Sequence, residues 1–89
     1  MKKSYLEVTY RKGRPLAAYL YLPRLNGESS ARTETADGGL VVDYAADGRP
    51  IGIEITSPSQ FDLAALNALL ARIGQPPLQS RDLAPLVAA

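Results

Sequence analysis

Residues 39–55 read GLVVDYAADGRPIGIEI, two apolar runs on either side of Asp47-Gly48. Apolar runs that flank Asp-Gly are the clearest short-range sign of a β-hairpin, because Gly accepts the positive φ that the tightest turns demand. Side chains alternate across a strand. Leu40, Val42 and Tyr44 therefore share one face of the first arm, and Ile51, Ile53 and Ile55 share one face of the second. A turn centred on Asp47-Gly48 sets Tyr44 opposite Ile51, Val42 opposite Ile53 and Leu40 opposite Ile55. A slip of one residue in either arm turns its apolar set to the wrong side, so the register is well specified. Pro50 has no N–H to donate and is expected at a non-hydrogen-bonded site or a bulge. The opposite face of the ribbon carries Val41, Asp43, Gly52 and Glu54, with the two carboxylates as diagonal neighbours.

The remaining chain supplies partners for this ribbon. Residues 5–10 alternate as a strand, with Leu6, Val8 and Tyr10 on one side and Tyr5, Glu7 and Thr9 on the other. A polar turn over 11–15 leads to a second strand over 16–22. There Leu16, Ala18, Leu20 and Leu22 oppose Ala17, Tyr19 and Tyr21. The two should pair as a hairpin, and Pro23 ends the second strand. Residues 24–30 form a loop with Asn26-Gly27 as its turn signal, and 31–35 a shorter, Thr-containing strand. Asp37-Gly38-Gly39 then turns the chain into the central hairpin. Five strands joined by short links predict sequential neighbours in one antiparallel sheet.

After Ile55 the period changes. Leu63, Leu66, Leu69, Leu70 and Ile73 follow helical spacing, which predicts a helix over 60–73. Ser59 with Asp62 resembles a capping box, Gly74 suits the position after the helix, and Pro76-Pro77 blocks continuation. The helix needs an apolar surface, and Leu40, Val42, Ile51, Ile53 and Ile55 supply one. In the tail, 75–89, Ser80-Arg81-Asp82-Leu83 can open a short helical turn. Leu78, Leu83, Leu86 and Val87 are too apolar to stay solvated, so the tail is expected to pack on the sheet, the helix or a second subunit. The expected fold is α+β: a five-stranded antiparallel β-meander over residues 5–57, one C-terminal helix packed on one face, and a short apolar tail. All of it forms one domain over 1–89.

The run VVDYAADGRPIGIEI resembles the core of a short bacterial family, domain of unknown function 2283. Its pattern has an apolar arm ending in Asp-Tyr or Asp-Leu, an acidic-Gly turn, and then Ile-x-Gly-Ile-Glu-Ile. Asp43, Tyr44, Asp47, Gly48, Gly52 and Glu54 stand at the matching positions. Upstream, residues 18–22 (AYLYL) are similar to the family's Leu-Tyr-Ile-x-Leu strand, and 31–34 (ARTE) to its Thr-containing middle strand. The resemblance spans about residues 5–57 and implies a small β-rich fold with no established activity. One departure is the turn before the second strand. The family's turn is usually acidic, whereas here it reads Arg11-Lys12-Gly13-Arg14-Pro15, so no role for acids in that turn carries over.

Composition removes several chemistries. There is no Cys and no His, hence no thiolate nucleophile, no disulfide and neither of the usual zinc ligands. The serines lack an activating imidazole. No phosphate-binding glycine loop and no calcium-loop pattern occurs. The N-terminus has no long apolar stretch of a signal peptide, and no run is long enough to span a membrane, so cytoplasmic residence is the expectation. No cofactor is expected, and no enzymatic activity.

What is left is a surface. Tyr5, Tyr19 and Tyr21 should cluster on the face away from the helix, the face that also carries Asp43 and Glu54. Tyrosine buries a large ring and keeps a polar tip, which suits it to interfaces. The sequence therefore points to a non-enzymatic protein–protein interaction module that self-associates as a homodimer, with a heterologous protein partner as a further option. One alternative is a nucleic-acid-binding or antitoxin-like regulator. Lys2, Lys3, Arg11, Lys12, Arg14 and Arg24 make the first 24 residues basic against Glu7 alone, and the 11–14 turn concentrates that charge. Without an RNA-binding motif, nucleic acid is the weaker reading. The other alternative is a weak metal or catalytic site on Asp43 and Glu54.

Overall fold

The computed structural model describes residues 5–23, 27–60 and 62–83. Five strands form one open antiparallel sheet: β1 (Tyr5–Arg11), β2 (Arg14–Tyr21), β3 (Arg32–Ala36), β4 (Leu40–Tyr44) and β5 (Pro50–Ile55). One helix, α1 (Leu63–Arg72), follows, and short 3-10 turns occupy Pro58–Gln60 and Ser80–Leu83. The expected class, an antiparallel α+β sheet with a single helix, is the observed one.

Strand order departs from the sequential one at a single link. The order is β1-β2-β5-β4-β3, so β2 neighbours β5 and β3 takes the far edge. The reason lies in burial. β5 has Ile51, Gly52 and Ile53 all buried and belongs at the centre, whereas β3 is exposed along most of its length and can sit at a rim. The segment after β2 has three inter-strand gaps to cross, about 14 Å at roughly 4.8 Å each.

The central hairpin has the expected register over most of its length, with Leu40 paired to Ile55 and Val42 to Ile53. Near the turn it differs. Tyr44 faces Pro50 rather than Ile51, with an irregularity between Asp43 and Tyr44. The connection is longer than a two-residue turn: the Gly48 amide donates to the Ala45 carbonyl (2.9 Å) and the Ala45 amide to the Arg49 carbonyl (2.8 Å). With Gly48 at φ 93°, this is a three-residue loop closed by a glycine bulge. The residue skipped by the ladder is Ile51, so Pro50, which has no N–H to donate, stands next to the irregularity and pairs with Tyr44. Asp47 accepts from the Arg49 amide (3.0 Å) and from Arg49 Nε (2.7 Å), which holds its carboxyl below the usual carboxylate range. Arg49 also pairs with Glu28.

The β1–β2 hairpin is tighter than expected. Arg11 pairs with Arg14 across Lys12-Gly13, both at positive φ (54° and 78°), a two-residue turn matched to strand twist. A bulge between Thr9 and Tyr10 corrects one expectation: Leu16, read as inward, is the unpaired residue and stands 52% exposed. Tyr10, also read as inward, is 50% exposed.

The core lies between the sheet and α1. Ala18, Leu20, Leu22, Leu40, Val42, Ile53 and Ile55 pack with Leu66, Leu69, Leu70 and Leu83, all at most 5% exposed. The aliphatic wall of Leu40, Val42, Ile53 and Ile55 meets the helix as the alternation required, whereas Ile51, the residue skipped by the ladder, is fully buried outside that cluster. The helix is shorter than 60–73. Asp62 itself is the N-cap, accepting from the Ala64 amide at 3.0 Å, and Ser59 falls in the preceding 3-10 turn instead of opening a capping box. At the other end the Gly74 amide donates to the Ala71 carbonyl (3.2 Å) and the Gln75 amide to the Leu70 carbonyl (2.8 Å), a Schellman closure with Gly74 at φ 79°.

The tail docks on the same core. Leu83 is buried in it and Leu78 packs against it. Asn67 clasps the Leu78 backbone from α1, donating to its carbonyl (3.0 Å) and accepting from its amide (2.8 Å). Lys2, Lys3, Arg24, Asn26, Leu86 and Val87 lie outside the described residues.

Candidate interaction face

Strand pairing arranges the outer face of the sheet in rows. One row runs Tyr5, Tyr21, Gly52, Asp43, Thr33 across β1, β2, β5, β4 and β3. The next runs Glu7, Tyr19, Glu54, Val41, Thr35. The five residues singled out from the sequence, Tyr5, Tyr19, Tyr21, Asp43 and Glu54, therefore share one face, opposite the helix.

Gly52 decides how they meet. Its φ is not in the left-handed region, so the backbone does not call for glycine. What matters is the missing side chain: a Cβ built there would lie 1.9 Å from the Tyr19 hydroxyl oxygen and 2.3 Å from its Cζ. The Tyr19 ring lies over β5 in the space a side chain would fill. From there its hydroxyl donates to Asp43 Oδ2 on β4 at 2.6 Å, a length typical of a bond to an ionised carboxylate. Tyr19 thus bridges from β2 to β4 over the strand between them.

The other rings lock onto this one. Tyr21 meets Tyr19 edge to face, with centroids 4.6 Å apart and planes at 66°, and Tyr5 stacks on Tyr21 at 4.5 Å and 12°. The Tyr21 hydroxyl donates to Glu7 Oε1 at 3.2 Å. Tyr5 is 49% exposed, Glu7 and Glu54 are exposed, and Tyr19, Tyr21 and Asp43 are half-buried. Aromatic surface and carboxylates are therefore presented together, in fixed geometry.

Basic side chains gather elsewhere. Arg11, Lys12 and Arg14 surround the β1–β2 tip, where they line a concavity with Pro15 and Leu16. A second concavity lies between β3 and α1, lined by Thr35, Ala36, Asp37, Ala65, Ala68, Leu69 and Arg72. At the helix-side rim, Arg32 sits 4.1 Å from the centre of the Tyr44 ring, and the Tyr44 hydroxyl donates to Glu34 Oε1 at 3.1 Å. Burial and then the Glu34 hydrogen bond raise the Tyr44 hydroxyl above its usual pKa of 10.0.

For metal or catalytic chemistry, Asp43 is already committed to Tyr19. Among the described residues no group of three or more potential ligands comes together. No helix among them is long and apolar enough to cross a membrane.

The sequence missed the window at Gly52, the Asn67 clasp and the Arg32–Tyr44–Glu34 chain. A glycine inside an apolar strand does signal close approach by something. What approaches could be known only once β2 was placed beside β5.

The chain matches no curated protein and no solved structure. Residues 17–58, which hold Tyr19, Tyr21, Asp43, Gly52 and Glu54 and leave Tyr5 and Glu7 outside, match the model of the family described as protein of unknown function (DUF2283), the family that the residues around Asp47-Gly48 resemble.

Proposed function

We propose that this protein is a non-enzymatic interaction module that self-associates as a homodimer through the tyrosine-bearing face of its sheet. The observation that carries the reading is the Tyr5–Tyr21–Tyr19 cluster, stacked and pinned to Asp43 on a sheet face remote from the helix. Rings already held in place lose little freedom when a partner arrives, so more of the contact energy reaches binding. Their apolar faces with polar tips suit a contact that forms between folded chains. Cytoplasmic residence goes with this reading.

Sedimentation velocity tests it. The wild type is expected to run as a dimer and Tyr19→Ser/Tyr21→Ser as a folded monomer. A wild type that stays monomeric at high concentration overturns the proposal.

A second reading rests on the concavity at the basic tip, where Arg11, Lys12 and Arg14 could take a nucleic-acid backbone. Titration with random oligonucleotides at low ionic strength decides it, because phosphate contacts make affinity fall steeply with salt. Absence of salt-sensitive binding removes that reading.

A further inference from the structure

We infer that the occupant of the tyrosine face is the basic β1–β2 tip of a second copy, in a reciprocal two-fold pair; this rests on the self-association proposed above. The argument starts from spacing. On β1, Glu7, Thr9 and Arg11 alternate onto one side, and on β2 their partners are Tyr19, Ala17 and Arg14. The bulge at Leu16 brings Arg14, rather than Pro15, opposite Arg11. A single hairpin thus carries an acidic-aromatic row at Glu7 and Tyr19, continued by Glu54 on β5, and a cationic row at Arg11 and Arg14. Thr9 and Ala17 stand midway. The two rows are about 13 Å apart, four residues at roughly 3.3 Å each.

Charge does the rest. Arg11 and Arg14 face each other directly, a placement that is unfavourable for like charges. Among the described residues the ion pairs both belong to Arg49, so neither Arg11 nor Arg14 has an acidic partner within them. On the outer face, Glu7 and Glu54 flank Tyr19. Two copies stacked face to face, about a two-fold axis through the Thr9–Ala17 row and perpendicular to the strands, set the arginines of each over the Glu7–Tyr19–Glu54 row of the other, beside the Tyr19 ring where it leans across Gly52. A guanidinium over a tyrosine ring with carboxylates beside it is favoured by both cation–π and ionic attraction. The small side chains at the axis let the backbones approach. Because each copy gives a tip and receives one, the contact closes as a dimer and does not propagate into a filament.

The test is a reciprocal charge exchange read by sedimentation velocity, with circular dichroism to confirm folding. One variant is Glu7→Lys/Glu54→Lys, the other Arg11→Glu/Arg14→Glu; all four positions are exposed. Each variant alone is expected to be monomeric at concentrations where the wild type is dimeric, and an equimolar mixture is expected to recover the dimer. Failure of the mixture to recover overturns the inference. So does persistence of both variants as dimers. If in that case Tyr19→Ser/Tyr21→Ser is still monomeric, the tyrosine face remains the interface in another register. A monomeric wild type overturns the tyrosine-face reading together with this one.

Discussion

The two faces of the sheet are built on different principles. The helix-side face is held by shape and hydrophobicity: Val42, Ile53 and Leu66 are fully buried and touch one another's neighbours without any polar atom to satisfy. The outer face is held by direction. Tyr19 reaches Asp43 only because Gly52 leaves room, and Tyr21 and Tyr5 align on it by ring geometry. Burial of aliphatic surface is worth much and specifies little beyond which side is in. Directed contacts are worth less and fix particular atoms at particular positions, which is what a recognition surface needs.

The sharpest way to break this contrast is to truncate both faces. Ile53→Ala or Leu66→Ala should each cost about 2–5 kcal/mol in urea denaturation, as buried aliphatic truncations do. A loss below about 1 kcal/mol would mean that the helix-side face is not the core.

Next comes Gly52→Ala. The added methyl collides with the far end of a side chain that can swing away, so the fold survives, at about 1–2 kcal/mol, with the Tyr19–Asp43 bond lost. A double-mutant cycle sharpens this. Tyr19→Phe should cost about 1 kcal/mol in the wild type and close to nothing in Gly52→Ala. Equal costs in both backgrounds would show that the glycine is not what admits the ring.

The smallest expected effect separates the rim from the outer face. Tyr44 has its pKa raised in the folded state, first by burial and then by Glu34. The unfolded chain releases that proton at about pH 10 and the folded chain only above it. Stability from this group is therefore complete below about pH 10 and declines as pH rises past that value. Tyr44→Phe should show a shallower alkaline decline in urea midpoint than the wild type. An unchanged decline would show that Tyr44 does not contribute to it.

Alternation alone made the helix-side face legible, because period-two burial leaves one acceptable register for Leu40, Val42, Ile53 and Ile55. It also put Tyr5, Tyr19, Tyr21, Asp43 and Glu54 on a common side. It could not join them, since the joining depends on which strand lies next to β2. Sequential pairing would have set β3 there, with Tyr19 far from Gly52. The cue that was available was the polarity of residues 32–36, which fits a rim better than a centre. The two register shifts were equally hidden: each leaves one residue unpaired in a strand near a turn, Leu16 in β2 and Ile51 in β5, so that Tyr10 meets Pro15 and Tyr44 meets Pro50. Asn67 gave no sign at all, because a clasp on the Leu78 backbone depends on where the tail returns.

The sheet is two sequence-contiguous ribbons, a hairpin of β1 and β2 and a three-stranded piece of β3, β4 and β5, zipped along the single β2–β5 line. Tyr19 is rooted in the first ribbon and anchored on the inner strand of the second, so its hydroxyl works as a rivet through that line. A load that parts the ribbons must shear this rivet as well as the ladder beneath it.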